Sequence, residues 1–240
     1  MNLKIEQLIK LYNLTPVLDH VDLELKDIQV LALIGASGSG KSTLLRLMAG
    51  LEQFDSGVIT VNGHIVETSK DAAYRKKIGF VFQDHNLFPH LSITENIMLV
   101  LEKVHGRSRE DVLPEVQELL TQFGLEEHAD RNPHQISGGQ AQRASIVRAL
   151  AIRPELVLLD EPTSSLDPIL THEVLMSIKV LVEAKIDFVI VTHEIGFARE
   201  VADYIVFMDE GKIVEHGTKA MLEKPQTEKL KRFLEKVLSF

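Results

Sequence analysis

The hydrophobic pattern changes period along the chain, and each change predicts an element. Leu3, Ile5 and Leu8-Ile9, then Val21, Leu23 and Leu25, recur with the short alternation of half-buried strands. Val58 to Val66 predicts a hairpin around Asn62-Gly63, a pair suited to the positive φ of a tight turn. Together these imply an antiparallel sheet near the N-terminus. Elsewhere the apolar residues run unbroken, as strands covered on both faces require: Val30 to Ile34, Ile78 to Phe82, Leu156 to Leu159 and Phe188 to Val191. From Ser92 to Ile152 the pattern turns helical. There Val112, Val116, Leu119, Leu120 and Phe123 share one face of a helix that Ser108 to Asp111 opens as a capping box and Gly124 stops. Leu170, Val174, Leu175, Ile178, Leu181 and Val182 stripe a helix capped by Asp167 with Pro168 at its first position. Tyr204 to Met208 and Lys212 to Glu215 form a hairpin around Glu210-Gly211. Glu228 to Leu238 is a charged terminal helix with Leu230, Phe233, Leu234 and Val237 facing inward.

The stretch between the first apolar run and the helix that follows carries chemistry. Gly35-Ala36-Ser37-Gly38-Ser39-Gly40-Lys41-Ser42-Thr43 fits G-x-x-x-x-G-K-[ST] in the strand-turn-helix context that makes it a P-loop. Its glycines let successive N–H groups point into one concavity that fits a phosphate chain. The helix start adds orphan N–H groups and its dipole, Lys41 brings positive charge to the β/γ-phosphates, and the Ser42 hydroxyl can ligate Mg²⁺.

Three further strand ends carry polar groups at the edge where open α/β sheets bind ligands. Gln83 follows Phe82. Asp160 and Glu161 follow Leu156 to Leu159, where Asp160 suits Mg²⁺ and Glu161 an attacking water. His193 follows Thr192, within reach of a phosphate on the same edge. Ser137, an N-cap for the helix over Ala141 to Ile152, offers a second anion-binding helix start. Tyr12 offers a ring that could stack on a purine, with ordinary packing as the alternative.

Composition narrows the partners. At 240 residues the chain can bury a full α/β core, and 26 Lys plus Arg against 35 Asp plus Glu give a net charge of −9. That balance argues against general nucleic-acid binding, which needs basic surface. With no cysteine, neither a disulfide framework nor a thiolate metal site is possible. No signal-peptide pattern and no apolar run of spanning length occur, so a cytosolic protein is expected, with any membrane role through a partner.

In this order the motifs resemble the ATP-binding subunit of an ATP-binding cassette transporter over essentially the whole chain. The discriminating feature is Ser137-Gly138-Gly139-Gln140 standing shortly before Asp160-Glu161. The resemblance implies an α/β fold with a P-loop NTPase (RecA-like) core and antiparallel β subdomain over about residues 1–83 and 155–240. A helical subdomain is inserted over about 84–154. It implies a homodimer that sandwiches two ATP molecules, each P-loop facing the partner copy's Ser137 to Gln140 segment and Asp167. It further implies that Tyr12 stacks on adenine, that Gly35 to Thr43 cradle the phosphates, and that Ser42, Gln83 and Asp160 serve Mg²⁺. Glu161, His193, Gln83 and Lys41 are the implied catalytic residues. Asn86 to Leu91 would help receive a coupling helix from a membrane subunit. Three positions depart from the usual pattern: Ile136 replaces a leucine, Ser165 an alanine, and Asp27-Ile28-Gln29 lacks a turn glycine.

A narrower likeness rests on Asn86 to Leu91, Thr192 to Asp203, and Lys224-Pro225-Gln226 with Phe233-Leu234. These look like ATPases of polar amino-acid importers. The implied setting is the cytoplasmic face of the cell membrane, with two permease subunits and an extracytoplasmic solute-binding protein. The alternatives are an exporter or lipid-related ATPase, or a soluble non-transport ATPase acting on ribosomes or DNA.

Overall fold

The computed structural model describes residues 1–66 and 71–238. By contact density the chain forms two compact units, one from residues 1–75 with 185–240 and one from 76–184.

The first unit opens with β1 (Leu3–Tyr12) and β2 (Thr15–Leu25), which pair antiparallel with Leu3 opposite Leu25 and Ile5 opposite Leu23. The spacing Leu3, Ile5, Leu8 would break a strict alternation. Register shifts between Ile5 and Leu8 and between Leu8 and Lys10 absorb the odd residues, with Gln7 at φ 46° and His20 at φ 51°. Leu8, Leu18 and Val21 thereby stay on the buried face. After β3 (Val30–Gly35) and α1 (Lys41–Met48) come β4 (Ser56–Val61) and β5 (His64–Ile65), a hairpin with Asn62 at φ 49° and Gly63 at φ 80°, as the sequence predicts. The first sheet has the order β2-β1-β4-β5. A short helix, α2 (Ala72–Arg75), ends this part.

The second unit carries β6 (Ile78–Val81), α3 (Ile93–Lys103), α4 (Arg109–Gln122), α5 (Gly138–Ala151), β7 (Leu156–Asp160) and α6 (Pro168–Glu183). β6 and β7 pair in parallel, Ile78 opposite Leu156 and Val81 opposite Leu159. Helices α3, α4 and α5 pack on one another, and α5 also packs on α6 and β6. One predicted detail is corrected. Ser108 does cap α4, but its hydroxyl donates to the Asp111 carboxylate instead of the carboxylate reaching back to the Ser108 N–H. Asp is one methylene shorter than the Glu that closes a capping box at Ser92 of α3.

The chain then returns to the first unit with β8 (Phe188–Val191), α7 (Ile195–Val201), β9 (Tyr204–Asp209), β10 (Lys212–Gly217), α8 (Ala220–Glu223) and α9 (Glu228–Leu238). β3 pairs in parallel with both β8 and β9, and β10 pairs antiparallel with β9. Every residue of β3 and β8 is buried, which accounts for their unbroken apolar sequences. Asp27 takes φ 54° in the turn before β3, where a glycine is absent, and its N–H donates to Asn2 Oδ1 at 2.9 Å. Among the described residues no helix is long and apolar enough to cross a membrane.

Candidate functional site

In the first unit the site is built where β3 breaks. Gly35 closes the strand at φ 149°, and Gly40, the N-cap of α1, stands at φ 98°. A Cβ at Gly40 would meet Leu18 Cδ2 at 2.7 Å and the Val17 carbonyl at 2.8 Å; one at Gly35 would meet the Met208 carbonyl at 2.1 Å. The loop therefore holds its conformation only with glycine at both places. Lys41 is 3% exposed, and its Nζ donates to the carbonyls of Gly35 at 3.0 Å and Ala36 at 2.8 Å. The ammonium thus sits inside the loop, while Lys41, Ser42 and Thr43 form the first turn of α1 with no acidic residue among them. Leu44, Leu45, Leu47 and Met48, all fully buried, fix that helix to the core. Positive charge, helix dipole and orphan N–H groups converge on one point, which suits an anion.

Tyr12 ends β1, 41% exposed. Its hydroxyl donates to the Glu52 carboxylate, and Lys10 Nζ lies 4.8 Å from the ring centroid. Burial, then the Glu52 contact, push the hydroxyl above its ordinary pKa. One face of the ring therefore lies under a cation, and the hydroxyl is tethered. His193 follows β8, whose Val191 is opposite Leu33 of β3, so His193 and Gly35 lie at the same strand edge. His193 is exposed.

In the second unit, Gln83 follows β6 and Asp160 ends its neighbour β7, so the Gln83 and Asp160-Glu161 positions share an edge. Asp160 is fully buried. Glu161 is partly exposed and stands in the left-handed region at φ 44°, a conformation that for this residue type costs about 1–3 kcal/mol. The turn separates the two acids: one stays in the protein, the other emerges. Ser137 caps α5 by a complete capping box, accepting from Gln140 N at 3.2 Å while Gln140 Oε1 accepts from Ser137 N at 2.9 Å. Asp167 caps α6, accepting from Ile169 N at 2.9 Å and Leu170 N at 3.0 Å.

Sequence reasoning missed the residues that shape the segment after Gln83. Asn96, fully buried on α3, accepts from Phe88 N at 2.7 Å and donates to the carbonyls of Phe88, Leu91 and Ser92. From α5, Gln142 donates to the Phe82 carbonyl at 3.3 Å, and Arg148 donates to those of Asn86 at 2.8 Å and His85 at 3.1 Å. Burial lowers the Arg148 pKa, yet an arginine remains charged. The only available signal was a polar side chain among Ile93, Ile97, Met98 and Leu101 on the inner face of α3.

A parallel strand that breaks into a glycine turn around a buried lysine and opens a helix defines a P-loop nucleotide-binding protein. The chain belongs to the ABC transporter family, whose model matches residues 18–164, and it is an ATP-binding, ATP-hydrolysing cassette. It is 45% identical to the L-cystine transport system ATP-binding protein TcyN of Escherichia coli (strain K12), over 98% of each chain. It is 43% identical to the arginine transport ATP-binding protein ArtM of Bacillus subtilis (strain 168), over 98% of this chain and all of that one. Among solved structures it resembles the ATP-binding cassette MJ0796, captured as a dimer in a post-hydrolysis state bound to ADP and Pi. The TM-score is 0.80 at 32% identity, covering 90% of this chain and 98% of that one.

Proposed function

We propose that this chain is the ATPase of an importer of polar amino acids. The observation that carries the proposal is near-full-length identity of 42–45% to transport subunits whose named solutes are cystine, glutamine, arginine and glutamate or aspartate. In this reading two copies close head to tail around two ATP molecules, each P-loop facing the partner copy's Ser137 to Gln140 segment and Asp167. The dimer docks on two permease subunits at the cytoplasmic face of the membrane, supplied by an extracytoplasmic solute-binding protein. Residues 84–154 form the helical subdomain, and the loop gripped by Asn96 and Arg148 receives the permease.

The chemistry is phosphoryl transfer to water. Tyr12 offers its open face to adenine, Gly35 to Thr43 bind the phosphate chain, and Lys41 exchanges loop carbonyls for β/γ-phosphate oxygens. Glu161 orients and polarises the water and accepts a proton from it as the water oxygen bonds to the γ-phosphorus, while the bond to the β-phosphate bridge oxygen breaks and its electron pair leaves with ADP. His193 and Gln83 contact the γ-phosphate end, and the partner copy's Ser137 segment stabilises developing charge. Ser42, Gln83 and Asp160 supply one hydroxyl, one amide oxygen and one carboxylate. These are few, hard oxygen donors, as suits Mg²⁺ shared with nucleotide phosphates, where the ion would neutralise charge.

The test of the importer reading is affinity purification from detergent-solubilised native membranes. Co-elution of a permease with an amino-acid-binding protein is expected. Recovery only with ribosomes or chromatin, under conditions that preserve membrane complexes, would overturn transport and leave the ATPase intact.

A further inference from the structure

The Ser137 to Gln140 segment is held by a residue outside it. Gln140 uses both ends of its side-chain amide: Oε1 accepts from Ser137 N at 2.9 Å, and Nε2 lies 2.8 Å from His128 Nε2. Only one assignment of protons satisfies both contacts. A backbone N–H can only donate, so the Gln140 oxygen must face Ser137 and the NH₂ group must face His128. That group also only donates, so His128 Nε2 must accept, which requires a neutral imidazole with its proton on Nδ1. His128 Nδ1 is buried and has no hydrogen-bond partner among the described residues, so no hydrogen bond at that nitrogen competes with the Gln140 contact.

The imidazole stands on a firm base. His128 ends a 3₁₀ turn, Glu126–His128, that follows α4 and is anchored by fully buried Leu125. The His128 N–H donates to the Leu125 carbonyl at 2.9 Å. The next residue, Ala129, accepts at its carbonyl from both N and Oγ1 of Thr94 at the start of α3, each at 3.0 Å. The acceptor nitrogen is thus tied to two helices while Gln140 belongs to a third.

We propose that His128 is a positioning residue for the Ser137 to Gln140 segment. By accepting from the Gln140 amide it keeps that amide from rotating, holds the capping box closed, and so fixes the Ser137 hydroxyl and the N-terminus of α5 for the ATP bound by a partner copy. This rests on the reading that the segment serves that ATP.

The purified chain is tested as His128→Leu, which removes the acceptor, His128→Gln, which restores one, Gln140→Leu, the His128→Leu/Gln140→Leu pair, and Ser137→Ala. Turnover with Mg²⁺ and ATP is measured beside the Kd for a fluorescent ATP analogue and the melting temperature. His128→Leu is expected to lower kcat about tenfold, the scale of a lost helix cap, with the analogue Kd unchanged. His128→Gln should recover most of that loss, and the double variant should be no worse than Gln140→Leu alone. Equal loss in His128→Leu and His128→Gln, or losses that simply add in the double variant, would overturn the proposal. Unimpaired His128→Leu beside impaired Ser137→Ala would overturn it alone. Unimpaired Ser137→Ala would overturn the segment's role, and the proposal with it.

Discussion

The roles proposed for Glu161 and Lys41 differ, and so do their surroundings. Lys41 is enclosed by loop carbonyls, so removing it leaves buried oxygens without their donor and a phosphate without its charge. Lys41→Ala should weaken nucleotide binding itself, read as a rise in the Kd of a fluorescent ATP analogue. Glu161 follows the strand end at φ 44° and is partly exposed, a placement that fits the proposed role of a carboxylate meeting a group outside the core. Glu161→Gln should keep ATP binding, cut turnover at least about a hundredfold, and accumulate an ATP-dependent dimer on size exclusion. Near-normal hydrolysis by that variant would remove the proposed role. Both positions could be proposed from sequence because local marks carry them: Lys41 opens α1 after the glycine turn that ends β3, and Glu161 follows the apolar run of β7. Asn96, whose partners Phe88, Leu91 and Ser92 lie close before it, showed only as a polar side chain on an apolar helix face, and Gln142 and Arg148 could not be read, since their partners are backbone groups distant in sequence. His128 was hidden for the same reason: it stands twelve residues from Gln140.

At the scale of elements, the all-buried strands and the capped helices were legible because burial and capping leave strong local marks. The bulges at Gln7 and His20 were not, because a register shift shows only when the paired strand is known. The inner face of α9 was legible as an apolar stripe, whereas the anchor at its start was not. Leu230 and Leu234 bury on its inner face and Phe233 packs against Phe207, while Glu215 of β10 anchors its start. The Glu215 carboxylate accepts from Gln226 N at 3.0 Å, Thr227 N at 2.8 Å and Thr227 Oγ1 at 2.6 Å. Burial alone would raise its pKa, but these donors outweigh it and the net shift is downward. A depressed folded-state pKa contributes stability that is present above the ordinary carboxylate range, about 4.3 for Glu, and is lost as pH falls through the lower folded value. Glu215→Gln offers one acceptor oxygen and turns an NH₂ group toward donors, so it should cost about 1–3 kcal/mol at neutral pH by urea unfolding. Its stability should also fall less steeply on acidification than that of the parent chain. Parallel acid limbs in the two proteins would show that Glu215 does not hold α9.

The whole chain carries −9, and that charge bears on how an ATPase of this family meets a membrane. Each basic residue near an anionic leaflet gains about 1 kcal/mol, and acidic residues there are repelled. With 35 acidic against 26 basic side chains, the net charge of the chain gives no overall attraction to an anionic leaflet. In the proposed importer reading, attachment comes from protein contacts, which a short-range interface supplies and salt affects little, whereas lipid attraction fades within a Debye length of about 8 Å at physiological salt. Vesicle flotation separates the two. Purified chain should remain at the bottom of the gradient with phosphatidylserine vesicles at physiological salt, with or without ATP. Native membranes washed at moderate salt should retain it, and should lose it on treatment that strips peripheral proteins. Flotation with the lipid vesicles alone would mean that a basic surface binds the membrane directly, despite the overall balance of charge, and that a permease is not needed to bring this ATPase to its place of work.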